Sequence, residues 1–308
     1  MVTLKDLSNE EPRAPGHRLC AGCGPAIVSR MAMKALRGPT VLTNATGCLE
    51  VATTIYPFTS WRIPWVHIAF ENAAAVASGI EAAYKAMARR GSWDKKVDVI
   101  ALGGDGGTFD IGIQALSGAL ERRHDFVYIC YDNEAYMNTG IQRSGATPRG
   151  ASTTTSPAGR KIPGKIEWKK NLAAICAAHG VDYVATASPA FMLDYISKVR
   201  KAIEVDGPAV IHVISPCPLG WRSEPADTIK IARLAVQTAY FPIYEIERGK
   251  YRLNVKVPKP LPIEEFLKTQ GRFSHLFQPE FRAEIDAIQQ HVNEEWRNLL
   301  QLCGEAKA

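Results

Sequence analysis

Six short apolar runs, 41–46, 65–70, 97–103, 126–131, 182–187 and 209–215, alternate with segments of helical character at 22–37, 71–90, 110–122, 168–179 and 189–204. The runs at 97–103 and 126–131 are apolar at nearly every position, as strands are when both faces of a parallel sheet are covered. With the 110–122 helix between them they predict a β-α-β unit, and the continuing alternation predicts an α/β fold. The 71–90 helix is rich in small residues, Ala73, Ala74, Ala75, Ala77, Ser78 and Gly79. They permit close packing, inside the chain or against a partner. The stretch 138–164 carries Gly, Ser, Thr and Pro, and structureless loops of that length are often functional.

The character changes after Cys217. Asp227 is placed to cap a helix reaching about Ala239. Two short runs, 243–246 and 251–255, flank Glu247-Arg248-Gly249-Lys250, a hairpin signal. Pro258, Pro260 and Pro262 mark a linker. Residues 279–301 set Phe281, Ile285, Ile288, Val292, Trp296 and Leu299 near one face of an amphipathic helix. The expected organisation is therefore an α/β domain over 1–225 and a helix and hairpin arm for subunit docking over 226–308.

A chain of 308 residues can bury a substantial core. Its net charge of +6 is scattered, which suits an acidic partner such as a small electron carrier. No basic stripe is interleaved with aromatics, so nucleic acid is a poor partner. No apolar run approaches the roughly 20 residues that span a bilayer. The polar, acid-containing start lacks both the apolar core of a secretory signal and the acid-poor character of a transit peptide, so a cytoplasmic location without membrane contact is expected. Seven cysteines would be reduced there, and ligation is a better use than disulfides for those in loops.

The run ending at Gly103 leads into Gly104-Asp105-Gly106-Gly107, then a helix. Glycines let backbone approach phosphate closely, and the helix start favours an anion. Asp105 at a strand's carboxyl edge is well placed to ligate magnesium. Asn133, closing the next strand, would add a side-chain oxygen, and Ala135 a backbone carbonyl. Asn138 and Thr139 follow on the same loop, within reach of a cofactor or substrate. No Walker-type Lys-Ser/Thr follows the glycines, and they do not form Gly-x-Gly-x-x-Gly, which argues against a P-loop and a dinucleotide site.

Cys20 and Cys23 form a Cys-x-x-Cys pair before a helix, which leaves zinc, a redox dithiol and an iron–sulfur cluster open. Cys48 and Cys217 each follow a strand among turn residues, which favours four thiolates converging from separate loops. Cys130 lies inside an apolar run, Cys176 inside a helix and Cys303 near the tail; these read as packing or incidental cysteines.

Six segments together resemble the β subunit of 2-oxoacid:ferredoxin oxidoreductases, closest to the pyruvate synthase group. They are Cys20-Ala-Gly-Cys-Gly, Asn44-Ala-Thr-Gly-Cys-Leu-Glu, Phe70-Glu-Asn-Ala-Ala-Ala-Val-Ala-Ser-Gly, Gly104-Asp-Gly-Gly-Thr-Phe-Asp-Ile-Gly, Tyr131-Asp-Asn-Glu-Ala-Tyr-Met-Asn-Thr-Gly-Ile-Gln and Ser215-Pro-Cys-Pro. The resemblance implies a thiamine diphosphate-binding α/β fold, a mostly parallel sheet flanked by helices, with a C-terminal extension. It implies that Cys20, Cys23, Cys48 and Cys217 bind a [4Fe–4S] cluster. It implies that Asp105, Asn133 and the Ala135 carbonyl hold Mg2+, and that Asn138 faces the thiazolium and substrate as a catalytic residue. The implied reaction is reversible, coenzyme A-dependent oxidative decarboxylation of a 2-oxoacid, pyruvate foremost, with electrons leaving singly through the cluster. Oxalate, phenylglyoxylate, indolepyruvate and branched-chain acids are alternative substrates, and a zinc-binding scaffold subunit is the alternative of another class.

In that family the glutamate that activates the aminopyrimidine comes from another subunit. Glu50 and Glu71 are present here, but neither sits in the matching setting. The tandem cysteine run of a ferredoxin is also missing. The expected partners are α and γ subunits, a ferredoxin-like subunit, and ferredoxin or another electron acceptor.

Overall fold

The computed structural model describes residues 2–305; Met1 and residues 306–308 lie outside the described residues. One sheet holds β1 (Thr40–Ala45), β2 (Trp65–Ile68), β3 (Asp98–Gly104), β4 (Val127–Asp132), β5 (Tyr183–Ala187), β6 (Ala209–Ile214), β7 (Tyr244–Glu247) and β8 (Lys250–Leu253). Their spatial order is β2-β1-β3-β4-β6-β5-β7-β8. The first six are parallel to one another. The last two form an antiparallel hairpin laid against β5. The helices are α1 (Gly24–Met33), α2 (Cys48–Thr53), α3 (Ala73–Arg89), α4 (Ile113–Glu121), α5 (Leu172–Ala177), α6 (Met192–Glu204), α7 (Pro218–Trp221), α8 (Thr228–Gln237), α9 (Glu264–Leu267) and α10 (Arg282–Leu302).

The central strands are buried end to end because helices cover both faces. Side chains alternate between two cores, following the two-residue period of a strand. Ile100, Leu102, Ile129, Tyr131, Ile211 and Val213 pack with α1 and α6. Val99, Ala101, Tyr128, Cys130 and Val210 pack with α3, α4, α5 and α10. The small residues of α3 serve this second core: Ala73, Ala74, Ala77 and Ser78 are buried.

Several expectations need correction. Residues after 225 extend the same sheet and core instead of standing apart as an arm. β7 pairs with β5, and Ile285, Ile288, Val292, Trp296 and Leu299 of α10 are buried with the sheet residues. An apolar helix face close to its own sheet is buried most readily there. Asp227 stands at the start of α8 but makes no side-chain cap bond. The helix expected over 168–179 contracts to α5. Helix α2 carries too short a pattern for its period to be read. Among the described residues, no helix is long and apolar enough to cross a membrane.

Candidate active site

Strands β1, β3, β4 and β6 are neighbours, in that order, and run parallel. Their carboxyl ends therefore share one edge. Cys48, Asp105, Asn133 and Cys217 each follow one of these ends by one to three residues. Open α/β sheets bind ligands along this edge. The glycine segment after β3 is a wide turn, Gly106–Asp110, and α4 opens only at Ile113. The turn itself, not an α-helix start, thus faces the site. Gly106 has no substitute there: an added Cβ would stand 2.5 Å from the Tyr136 ring.

Three oxygen-bearing groups meet at the centre. The Asn133 side-chain amide faces Asp105 Oδ1 at 2.8 Å and the Ala135 carbonyl at 2.9 Å. Turned one way, its nitrogen donates to both. Turned the other way, three oxygens face a common point. Metal–oxygen bonds of 2.0–2.1 Å in an octahedron give edges of about 2.9 Å between neighbouring oxygens. The donor set thus fits Mg2+ by chemistry and by spacing. Asp105 is 1 % exposed. Burial, and next the nearby Asp132, hold its carboxyl well above the usual range, while the Ser144 hydroxyl donates to Oδ2 at 2.5 Å. A cation would remove that conflict.

The loop is held from behind. Glu134 lies between Asn133 and Ala135 with a left-handed backbone, φ 67°. Its amide donates to Asp132 Oδ1 at 2.9 Å, and its carbonyl accepts from the Thr147 hydroxyl at 2.7 Å. Its fully buried carboxylate accepts from Lys169 (2.7 Å), Tyr240 (2.6 Å) and Arg272 (2.5 Å). Asp132 in turn meets Lys169 at 2.5 Å and His212 at 2.7 Å. Trp221 Nε1 donates to the Asn133 carbonyl at 2.7 Å, and Arg272 stacks on the Trp221 ring at 4.1 Å. None of these supports was legible in the sequence. The 138–164 loop supplies Ser144 and Thr147 to the site, in keeping with its length.

A cavity of about 70 Å³ is lined by Gly104, Asp105, Gly106, Asn133, Ala135, Asn138 and Thr139 together with Thr46, Gly47, Cys48, Phe70, Tyr131, Tyr136 and Met137. The expected diphosphate turn, metal ligands and Cys48 therefore share one space. Gly107 lies just behind it, with Phe70 packed against its backbone. The Asn138 amide stands against the Cys48 thiol. The Thr139 hydroxyl is turned away, donating to Gln142 at 2.5 Å. Asp105 is the sole carboxylate-bearing residue among the lining residues.

The Cys20–Cys23 loop reaches the Cys217 loop through Gly24, whose amide donates to the Pro216 carbonyl at 3.0 Å. Burial pushes the Cys23 thiol up to about 12, with Cys217, Cys20 and Cys48 adding to it. Burial also raises Cys48 and Cys217, and Cys20 acts on both. The four thiols are thus mutual neighbours. Among the described residues no three His, Cys, Asp or Glu side chains are gathered as around a single ion. Four thiols brought from separate loops are the donor chemistry that an iron–sulfur cluster takes. Cys130 and Cys176 are fully buried in the core, apart from this set.

The sequence matches the family described as thiamine pyrophosphate enzyme, C-terminal TPP binding domain, over residues 45–213. It is similar to pyruvate synthase subunit PorB of Methanocaldococcus jannaschii, 58% identical, covering 97% of this chain and 99% of that one. The PorB subunit of Thermotoga maritima is 49% identical, covering 98% and 96%. Ketoisovalerate oxidoreductase subunit VorB of Pyrococcus furiosus is 48% identical, covering 95% and 94%. A solved 2-oxoglutarate:ferredoxin oxidoreductase from Magnetococcus marinus shares the fold, with TM-score 0.56 and 23% identity over 74% of this chain and 81% of that one.

Proposed function

Because the chain belongs to the family of pyruvate synthase PorB subunits, β subunits of 2-oxoacid:ferredoxin oxidoreductases, we propose that it carries the thiamine diphosphate, Mg2+ and proximal [4Fe–4S] sites for the oxidation of pyruvate. The observation that supports this reading is the shared cavity: Gly104, Gly106 and the three oxygen-bearing groups of Asp105, Asn133 and Ala135 line one part, Cys48 and Asn138 another.

Asp105, Asn133 and the Ala135 carbonyl would hold Mg2+, which neutralises diphosphate charge when bound. Thiamine diphosphate, when bound, supplies a nucleophilic carbon and an electron sink for the 2-oxoacid. Cys20, Cys23, Cys48 and Cys217 would hold the cluster, which accepts electrons singly. The chain's own residues position and insulate. The turn needs glycine at 106 because Tyr136 already occupies the space of a side chain there. Asn138 lies beside Cys48 at the rim, placed to orient the substrate's polar atoms. Phe70, Tyr131 and Met137 keep part of the wall apolar.

The cavity lining offers no second carboxylate to activate the aminopyrimidine, which supports a divided site completed by a partner. Asn138 and Thr139 are exposed at the rim, and Tyr56 and Phe58 are 95% and 76% exposed. These surfaces suit coverage by α and γ subunits. A ferredoxin-like subunit or ferredoxin would take the electrons, and coenzyme A the acyl group. Docking through the C-terminal segment would use the outer face of α10, since its apolar face packs on the sheet. The 48% identity to a ketoisovalerate oxidoreductase subunit favours a branched-chain 2-oxoacid as the second reading. Coenzyme A-dependent turnover of the purified complex on a 2-oxoacid panel tests both. Pyruvate should give the highest kcat/KM; a clear preference for 2-ketoisovalerate would replace the first reading.

A further inference from the structure

Tyr131, near the end of β4, is 3% exposed, lines the cavity, and has a hydroxyl without a hydrogen-bond partner. The hydroxyl stands 3.5 Å from where a Cβ on Gly47 would lie and 3.7 Å from one on Gly104. It therefore sits between the turn that presents Cys48 and the turn that faces the diphosphate. The neighbouring Asn44 side chain acts on the Tyr131 phenol; its Nδ2 donates to the Ala45 and Leu102 carbonyls at 3.1 and 3.4 Å, and its Oδ1, like the Tyr131 hydroxyl, makes no hydrogen bond. The hydroxyl makes no hydrogen bond, stands beside the Gly47 turn and shares the cavity with Cys48, where a ligated thiolate would be a stronger acceptor than the Asn44 amide oxygen.

We propose that the Tyr131 hydroxyl donates a hydrogen bond to the sulfur at Cys48 once that thiolate is bound to the cluster, and thereby raises the cluster's reduction potential. The inference rests on the cluster reading above. Hydrogen bonds to cluster sulfur disperse negative charge and favour the reduced state. Tyr131 is thus a positioning and tuning residue at the junction of the two cofactor sites, not a proton donor to substrate.

The test is Tyr131→Phe in the full chain reconstituted with iron and sulfide. Iron and sulfide content, thiamine diphosphate affinity with Mg2+, and the midpoint potential from an EPR-monitored titration are compared with wild type. Iron content and affinity should be unchanged and the midpoint should move to a more negative value. Tyr195→Phe removes an equally buried and unpaired hydroxyl that lines no part of the cavity, and should leave the midpoint in place. An unchanged midpoint in a fully loaded Tyr131→Phe protein would overturn the inference. So would a fall in thiamine diphosphate affinity at constant midpoint, which assigns the hydroxyl to the cofactor, or loss of iron from the folded variant, which makes Tyr131 a structural wall. If wild-type chain takes up no iron, the cluster reading itself fails, a result distinct from an unmoved midpoint.

Discussion

Glu134→Ala removes the carboxylate that ties the 133–135 turn, the proposed Mg2+ loop, to the C-terminal segment. Glu134 and Arg272 are 0% and 2% exposed at the side chain, so neither charge has water to fall back on. Removing one partner of a buried pair costs about 3–5 kcal/mol. The loss here should lie near the lower bound. Lys169 keeps Asp132 at 2.5 Å, and Arg272 keeps Gln270 and the Trp221 ring. Alanine at φ 67° gains nothing, because it too carries a Cβ. At roughly 2 °C per kcal/mol for a chain of this size, a loss of about 3 kcal/mol lowers Tm by about 6 °C. The freed turn must also be re-ordered when Asn133 and Ala135 meet Mg2+. Ordering a residue costs about 1–2 kcal/mol, so thiamine diphosphate affinity should fall by roughly tenfold. Thermal unfolding without cofactor and calorimetric titration with thiamine diphosphate and Mg2+ measure the two effects. Arg272→Ala and the double variant complete a cycle in which the double loss is smaller than the sum. Additive losses, or full cofactor affinity in Glu134→Ala, would refute the claim that this pair holds the ligand turn.

Three further outcomes are expected. Serine at Cys20, Cys23, Cys48 or Cys217 should lower iron content and bleach the visible absorbance, whereas Cys130→Ser and Cys176→Ser should leave both unchanged; full iron in Cys48→Ser would remove it from the ligand set. Asp105→Ala should weaken Mg2+-dependent thiamine diphosphate binding sharply and, since burial and Asp132 disfavour its charge, should not lower cofactor-free Tm; normal cofactor occupancy would sink the ligand assignment. The purified chain loaded with cluster and thiamine diphosphate should release no carbon dioxide from pyruvate with an artificial acceptor until α and γ subunits are added; turnover by the single chain would require an activating acid within it.

The site was legible where chemistry follows directly from local sequence. Each of Cys48, Asp105, Asn133 and Cys217 comes just after an apolar run, and parallel strands must all release their chains at one edge. That the four strands are consecutive neighbours was not legible, because crossovers set strand order and no local pattern records it. Cys130 and Cys176 were separable from the ligand candidates by their apolar surroundings, and both are fully buried. Glu134 marks the limit of such reading. A glutamate in a polar turn looks solvated, yet its partner Arg272 arrives from 138 residues away. The final helix marks another. Its apolar face was visible, but an apolar face is the same whether it covers its own sheet or another chain. The pairing of β7 with β5 and the burial of the α10 apolar face bring the C-terminal segment back onto the sheet and, with it, Arg272 onto Glu134 in the 133–135 turn. The segment expected as an arm therefore supports the candidate site from behind, and changes in it should be felt in cofactor affinity as well as at any subunit contact.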